Sequence, residues 1–218
     1  MQLTTEQIDQ IEETLILNGI VYDDIKMEVL DHIATEIQVL MNKNTLSFDE
    51  NLKKSLNSWS DDLKSGSSIF TGLSVKYPKI VLDKKVRVIK KQMFINLLVS
   101  LFLLSTFLVF SNFFNAKLLT YYFQFGFRFV FIIGYLLLII NTILIWNSKV
   151  NLSFYSHHKN KVAIYISWIY PFCFIKTPEG TIGQIMLVFT GAFMVIHLLF
   201  TSSLALKHFQ FEKRLTRI

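Results

Sequence analysis

Apolar residues recur every three or four positions through the first third of the chain, then merge into long uncharged runs. The opening motif Thr4-Thr5-Glu6-Gln7 is a capping box. Ile8, Ile11, Leu15 and Ile16 follow it at helical spacing. Asn18-Gly19 stops that helix, because both residues tolerate the left-handed conformation of a C-terminal cap. A second helix is predicted from about Tyr22 to Met41, with Ile25, Val29, Ile33, Ile37 and Leu40 on one face. Ser47-Phe48-Asp49-Glu50 is another capping box and opens a third helix carrying Leu52, Leu56, Trp59 and Leu63. Each helix has a single apolar face, so the three must pack together or on a partner.

Residues 66–77 are rich in Gly and Ser and are read as a linker. Pro78 suits the first turn of a new helix. That helix carries Lys84, Lys85, Arg87, Lys90 and Lys91 and runs into 24 uncharged residues, 93–116. Further uncharged runs cover 129–148 and 180–206. Each is long enough to cross a hydrocarbon layer ~30 Å thick. Residues 162–175 form a shorter apolar run of 14 residues. Charge assigns it provisionally. If it spans, twelve positive residues share one side: the five of the stem, Lys149, Lys159, Lys161, Lys207, Lys213, Arg214 and Arg217. Lys117, Arg128 and Lys176 lie on the other side, a positive-inside pattern with both termini cytoplasmic. Flanking lysines can snorkel around a short span.

The expected fold is therefore all-α. A three-helix cytoplasmic domain (1–65) leads through a linker and basic juxtamembrane stem (66–91) to a four-helix transmembrane bundle (92–206). Its spans fall near 93–114, 127–147, 161–176 and 182–206, and a basic tail (207–218) follows.

Composition sharpens this. Of 218 residues 52% are hydrophobic and only 17% charged, and 19 of the 21 Phe fall after residue 91. The net charge of +6 hides an acidic head, with 13 acidic and 5 basic residues in 1–75, ahead of a basic collar and body. Positive charge that flanks apolar runs suits an anionic bilayer surface better than nucleic acid, and no direct nucleic-acid binding is expected. Cys173 is the single cysteine, so no intramolecular disulfide forms. The opening MQLTTEQIDQIEE is polar and acidic, unlike a signal peptide.

Candidate chemistry is sparse. After Asp83 the only acidic residues are Glu179 and Glu212. No HExxH, P-loop or GxSxG motif occurs, so no catalytic residue, cofactor or metal is implied. His197 is the ionisable group well inside a span, and Gly183, Thr190 and Thr201 share its face by spacings of seven and four. This is a candidate intramembrane polar site, with Asn96 or Asn141 as partner; an interhelical hydrogen bond is the simpler alternative. His157-His158 lies in a basic loop without Cys or acid beside it, more a solvated loop than a metal site. Tyr121 and Tyr122 suit an interfacial belt. The collar of Lys84, Lys85, Arg87, Lys90 and Lys91 is read as a membrane-surface patch. On the second helix, Glu28, Asp31, His32 and Glu36 lie opposite Val29, Ile33 and Ile37. Carboxylates four residues either side of His32 would favour imidazolium. A solvated face explains the pattern more simply, and a partner-binding surface is the functional alternative.

These same residues carry a family resemblance. Glu28-Val-Leu30-Asp31-His32, then Leu46-Ser47-Phe48-Asp49-Glu50-Asn51-Leu52, then Trp59-Ser60-Asp61-Asp62-Leu63, resemble the HAAS-type helical domain and related permease prefixes, over roughly residues 20–65. Asn51-Leu52 stands where an Ala is usual, and Trp59-Ser60 where a Gly often follows. The resemblance implies a bacterial inner-membrane protein with a regulatory or signalling role and a cytoplasmic partner, such as a PadR-type regulator. It supplies no catalytic residues. The expectation is a non-enzymatic membrane regulator whose head binds a protein. The alternative is a small transporter or accessory subunit working as a homo-oligomer.

Overall fold

Thr4 caps the first helix as its motif requires: its hydroxyl accepts from the Gln7 amide, and the Gln7 side chain accepts from the Thr4 amide. In the computed structural model, which describes residues 2–153 and 180–215, α1 runs Thr5–Leu17. It ends in a Schellman motif. The Ile20 amide donates to the Leu15 carbonyl, the Gly19 amide donates to the Ile16 carbonyl, and Gly19 takes a φ of 85°. The second helix, α2 (Asp23–Lys43), buries Ile25, Val29, Ile33 and Ile37. Ser47 and Glu50 form the second capping box at the start of α3 (Phe48–Ser58).

The expected third helix is divided. Trp59 ends α3, and one further turn, α4 (Ser60–Leu63), follows. Residues 66–77, expected as a linker, instead form most of a hairpin: β1 (Ser65–Ser68) pairs antiparallel with β2 (Gly72–Pro78). The Thr71 amide donates to the Ser68 carbonyl and Gly72 takes a φ of 97°, a three-residue turn closed by a glycine bulge. The all-α expectation is corrected to that extent. Pro78 closes β2 rather than opening the stem.

The stem and first apolar run form one helix, α5 (Lys79–Ser111). The second, α6 (Ala116–Trp146), begins earlier than expected because the Asn115 side chain accepts from the Lys117 and Leu118 amides and caps it there. Tyr121 and Tyr122 therefore sit on its first turns. The last described helix is α7 (Thr181–Leu215). Among the described residues three helices, α5, α6 and α7, are long and apolar enough to cross a membrane, as in a multi-pass membrane protein. The expected short span near 161–176, His157, His158 and Cys173 lie outside the described residues.

The chain divides into two units. The first comprises Met1–Val88 with Lys149–Ser153; the second holds Ile89–Ser148 and α7. The core of the first is Ile11, Leu15, Ile20, Ile25, Val29, Ile33 and Ile37, with Leu52 from α3 and Val81 from α5. Val81 makes the stem a component of the head's core rather than a tether. Truncating a fully buried residue such as Ile33 to Ala should cost about 2–5 kcal/mol. In the second unit α6 and α7 pack around Phe131, Leu138, Val195 and Leu198. Glycines permit their close approach: a Cβ on Gly134 would lie 2.7 Å from Leu198 Cδ2, and one on Gly191 would lie 2.6 Å from Phe127 Cδ2.

Candidate functional site

The start of α2 lacks a side-chain cap, since Tyr22 offers none. Its first amide would be an orphan donor, but Asp23 N–H donates to the Asn151 carbonyl at 2.7 Å. The exchange is reciprocal: the Asn151 amide donates to Asp23 Oδ2 at 2.7 Å, and Asn151 Nδ2 donates to the Val21 carbonyl at 3.0 Å. Asp24 is buried beside them. Its carboxylate accepts from the Ser153 amide at 2.9 Å and the Ser153 hydroxyl at 2.6 Å. Two carboxylates in the first turn also suit the positive end of the helix dipole. Lys149–Ser153, with Leu152 fully buried, thus acts as a strap across the head of α2.

The stem reaches the same place. Lys84 Nζ lies 3.0 Å from Glu28 and 3.6 Å from Asp24. Lys85 is buried, donates to the Tyr22 hydroxyl at 2.9 Å and sits 3.9 Å from the Tyr77 ring centre. This is a cation held between two aromatic faces. Lys84 and Lys85, read from the sequence as membrane-surface residues, have these partners in the head. They face the head because Val81, Leu82 and Lys85 form the packed stripe of α5's first turns. Arg87, Lys90 and Lys91 stay exposed. On the far side of the start of α2, Lys26 pairs with Glu12 at 2.7 Å and Asp23 at 3.1 Å. Burial pushes its pKa down, but these carboxylates outweigh burial and hold it above the usual lysine value.

The acidic face of α2 is consequently not one surface. Glu28 is engaged by Lys84. Glu36 accepts from Ser55 Oγ at 2.8 Å, Ser58 Oγ at 3.1 Å and Trp59 Nε1 at 3.1 Å, binding α2 to the end of α3. The His32 ring lies 6.2 Å from that of Trp59. Asp31 is exposed. Asn51 is fully buried. It exchanges side-chain hydrogen bonds with Asn44 and donates to the Leu46 and Ser47 carbonyls, which fixes the α2–α3 turn.

In the second unit α5 turns Gln92, Asn96 and Ser100 inward, all fully buried at four-residue spacing. His197 Nδ1 lies 2.9 Å from Asn96 Nδ2 and 3.0 Å from Gln92 Nε2. Gln92 Nε2 also lies 3.3 Å from both Thr201 Oγ1 and the His197 carbonyl. Nδ1 is thus the point where both amide side chains of α5 meet His197. Among the described residues Asn96 Oδ1 is buried without a hydrogen-bond partner. His197, Thr201 and the expected Asn96 come together. Thr190 does not: it is exposed, and its hydroxyl donates to the Met186 carbonyl of its own helix. Seven residues put Thr190 about 10 Å along the helix from His197, beyond the reach of the cluster.

A third cluster joins Ser148, His208 and Glu212. Ser148 Oγ donates to Glu212 Oε1 at 2.8 Å and lies 3.0 Å from His208 Nε2. In a hydrolytic relay the carboxylate orients the imidazole, which takes the serine proton. Here the serine donates to the carboxylate, and Ser148 clamps the chain after α6 to Glu212 and His208 of α7. Among the described residues no group of three or more His, Cys, Asp or Glu side chains is placed to hold a metal.

No family model, curated protein or solved structure matches this chain. Sequence reasoning missed the strap, Gln92 and the Ser148 clamp. Only Gln92 had a local signal, the four-residue spacing of Gln92, Asn96 and Ser100 within an apolar run.

Proposed function

We propose that this protein is a non-enzymatic regulatory or signalling protein of a bacterial inner membrane, whose cytoplasmic head binds a protein partner. The observation that carries this reading is the start of α2. There Asp23 and Asp24 bond to Lys149–Ser153, the segment that follows α6 in the chain, while Asp24 and Glu28 pair with Lys84 of α5. A head bonded to both chain segments that run into apolar helices is built to register a change in them. The exposed carboxylate of Asp31, with the acidic charge of the head around it, is the docking candidate. Its HAAS-type resemblance suggests a transcription regulator of the PadR type as the partner class. The positive-inside pattern of the sequence supports a cytoplasmic head and cytoplasmic termini.

The test is a pull-down of full-length protein from detergent-solubilised native membranes. A cytoplasmic protein should co-purify with the wild type and be lost with Asp31→Lys. Identical captured proteins with both would sink the docking role.

A second reading, a small transporter or accessory subunit acting as a homo-oligomer, draws on the buried Gln92, Asn96 and Ser100 stripe and the orphan Asn96 Oδ1. Solute flux into vesicles that stops with Asn96→Leu would favour it.

A further inference from the structure

Two-stranded hairpins are marginal in water unless something covers a face. The β1–β2 hairpin leaves apolar residues open: Ile69 is 84% and Leu73 68% exposed, and Val75 is exposed as well. Four residues of β2 in succession, Leu73 to Lys76, are exposed, so neither face of that strand is covered among the described residues. The charge around it is one-sided. Between Asp62 and Asp83 the only charged residues are Lys64, Lys76 and Lys79, all exposed. This basic, apolar hairpin stands out from an acidic head that an anionic surface would repel.

We infer that the hairpin is a membrane-interface anchor: Ile69, Leu73 and Val75 enter the headgroup–acyl boundary of an anionic bilayer, and Lys64, Lys76 and Lys79 meet its phosphates. The inference rests on the reading that the apolar helices cross a membrane. Its support is charge complementarity. Juxtamembrane lysines gain from anionic lipid, and apolar side chains beside them gain from leaving water. The base of the hairpin is held within the head: a Cβ on Gly66 would lie 3.4 Å from Leu82 Cδ2, and Tyr77 packs on Lys85.

The experiment uses full-length protein in vesicles containing phosphatidylglycerol, with Cys173→Ser and one nitroxide label at a time. Labels at Ile69→Cys and Leu73→Cys should be reached by oxygen and shielded from a polar nickel reagent. A label on the head at Asn57→Cys should show the reverse. Replacing Lys64, Lys76 and Lys79 together by Gln should erase the difference between hairpin and head. A label at Ile132→Cys on the exposed side of α6 reports whether the apolar helices enter lipid at all. If Ile132 reads as lipid while Ile69 and Leu73 read as water, the anchor is overturned and the membrane reading stands. If the hairpin labels are immobilised and closed to both reagents, protein covers the tip and the anchor is equally overturned. If Ile132 reads as water, both fall.

Discussion

Glu36 and Asp31 belong to the same polar face of α2 yet have different environments. Glu36 satisfies Ser55, Ser58 and the Trp59 indole, and Ser55 is fully buried. Glu36→Ala should cost about 2–3 kcal/mol, because a charge-accepting site is lost and buried donors are orphaned. Asp31→Ala should stay within about 0.5 kcal/mol. Thermal unfolding followed by Trp59 emission, in a Trp146→Phe/Trp168→Phe background, separates the two. Equal effects would refute the division of that face. In the second unit, His197→Leu removes the hydrogen-bonding partner of Asn96 and Gln92. Its cost should be about 1 kcal/mol, in the range measured for hydrogen bonds between membrane helices. Thr190→Val should leave the melting temperature in detergent unchanged, since its hydroxyl serves only its own helix.

At the scale of elements, caps and close packing give separate predictions. The Glu50 carboxyl is held below its usual value first by the Ser47 amide and then by the Ser47 hydroxyl. A carboxyl lowered in the folded state contributes stability above its unfolded pKa and loses it as pH falls through the folded value. Acidification from about pH 5 to about pH 3 should therefore destabilise the wild-type head more steeply than Glu50→Gln, as read by pH-dependent melting. Ser47→Ala should cost about 1 kcal/mol at neutral pH. Between α6 and α7, Gly191→Ala drives a methyl into the rigid Phe127 ring and should destabilise the pair by about 1–3 kcal/mol. Gly134→Ala should cost less, because the opposing Leu198 Cδ2 is the end of a flexible side chain. Gly126→Ala meets nothing within 4 Å and serves as the neutral control in the same detergent melts.

At the scale of the whole molecule, the chain passes from the first unit to the second within α5 and re-enters the first at Lys149. The strap is therefore a second stretch of chain belonging to the head, and Asp24 holds it. Asp24→Ala orphans the Ser153 amide and hydroxyl. Hydrogen exchange should rise together in Lys149–Ser153 and in the first turn of α2, as expected of one cooperative unit. Exchange confined to the strap would show that α2 does not depend on it.

The amino-acid sequence by itself determined the helices of the head, their apolar faces, their caps and the three long apolar runs. All of these depend on contacts within about four residues, where periodicity and cap chemistry are written directly. The tertiary structure decided the roles of the polar residues. Lys84 meets Glu28 across 56 positions and Ser153 meets Asp24 across 129, separations that no local pattern records. It also decided residues 66–77. Their Gly and Ser content reads as a linker, but the Gly72 turn and the packing of Tyr77 on Lys85 make a hairpin. A polar residue's spacing states which face it occupies; only the fold states which charge or hydroxyl stands opposite.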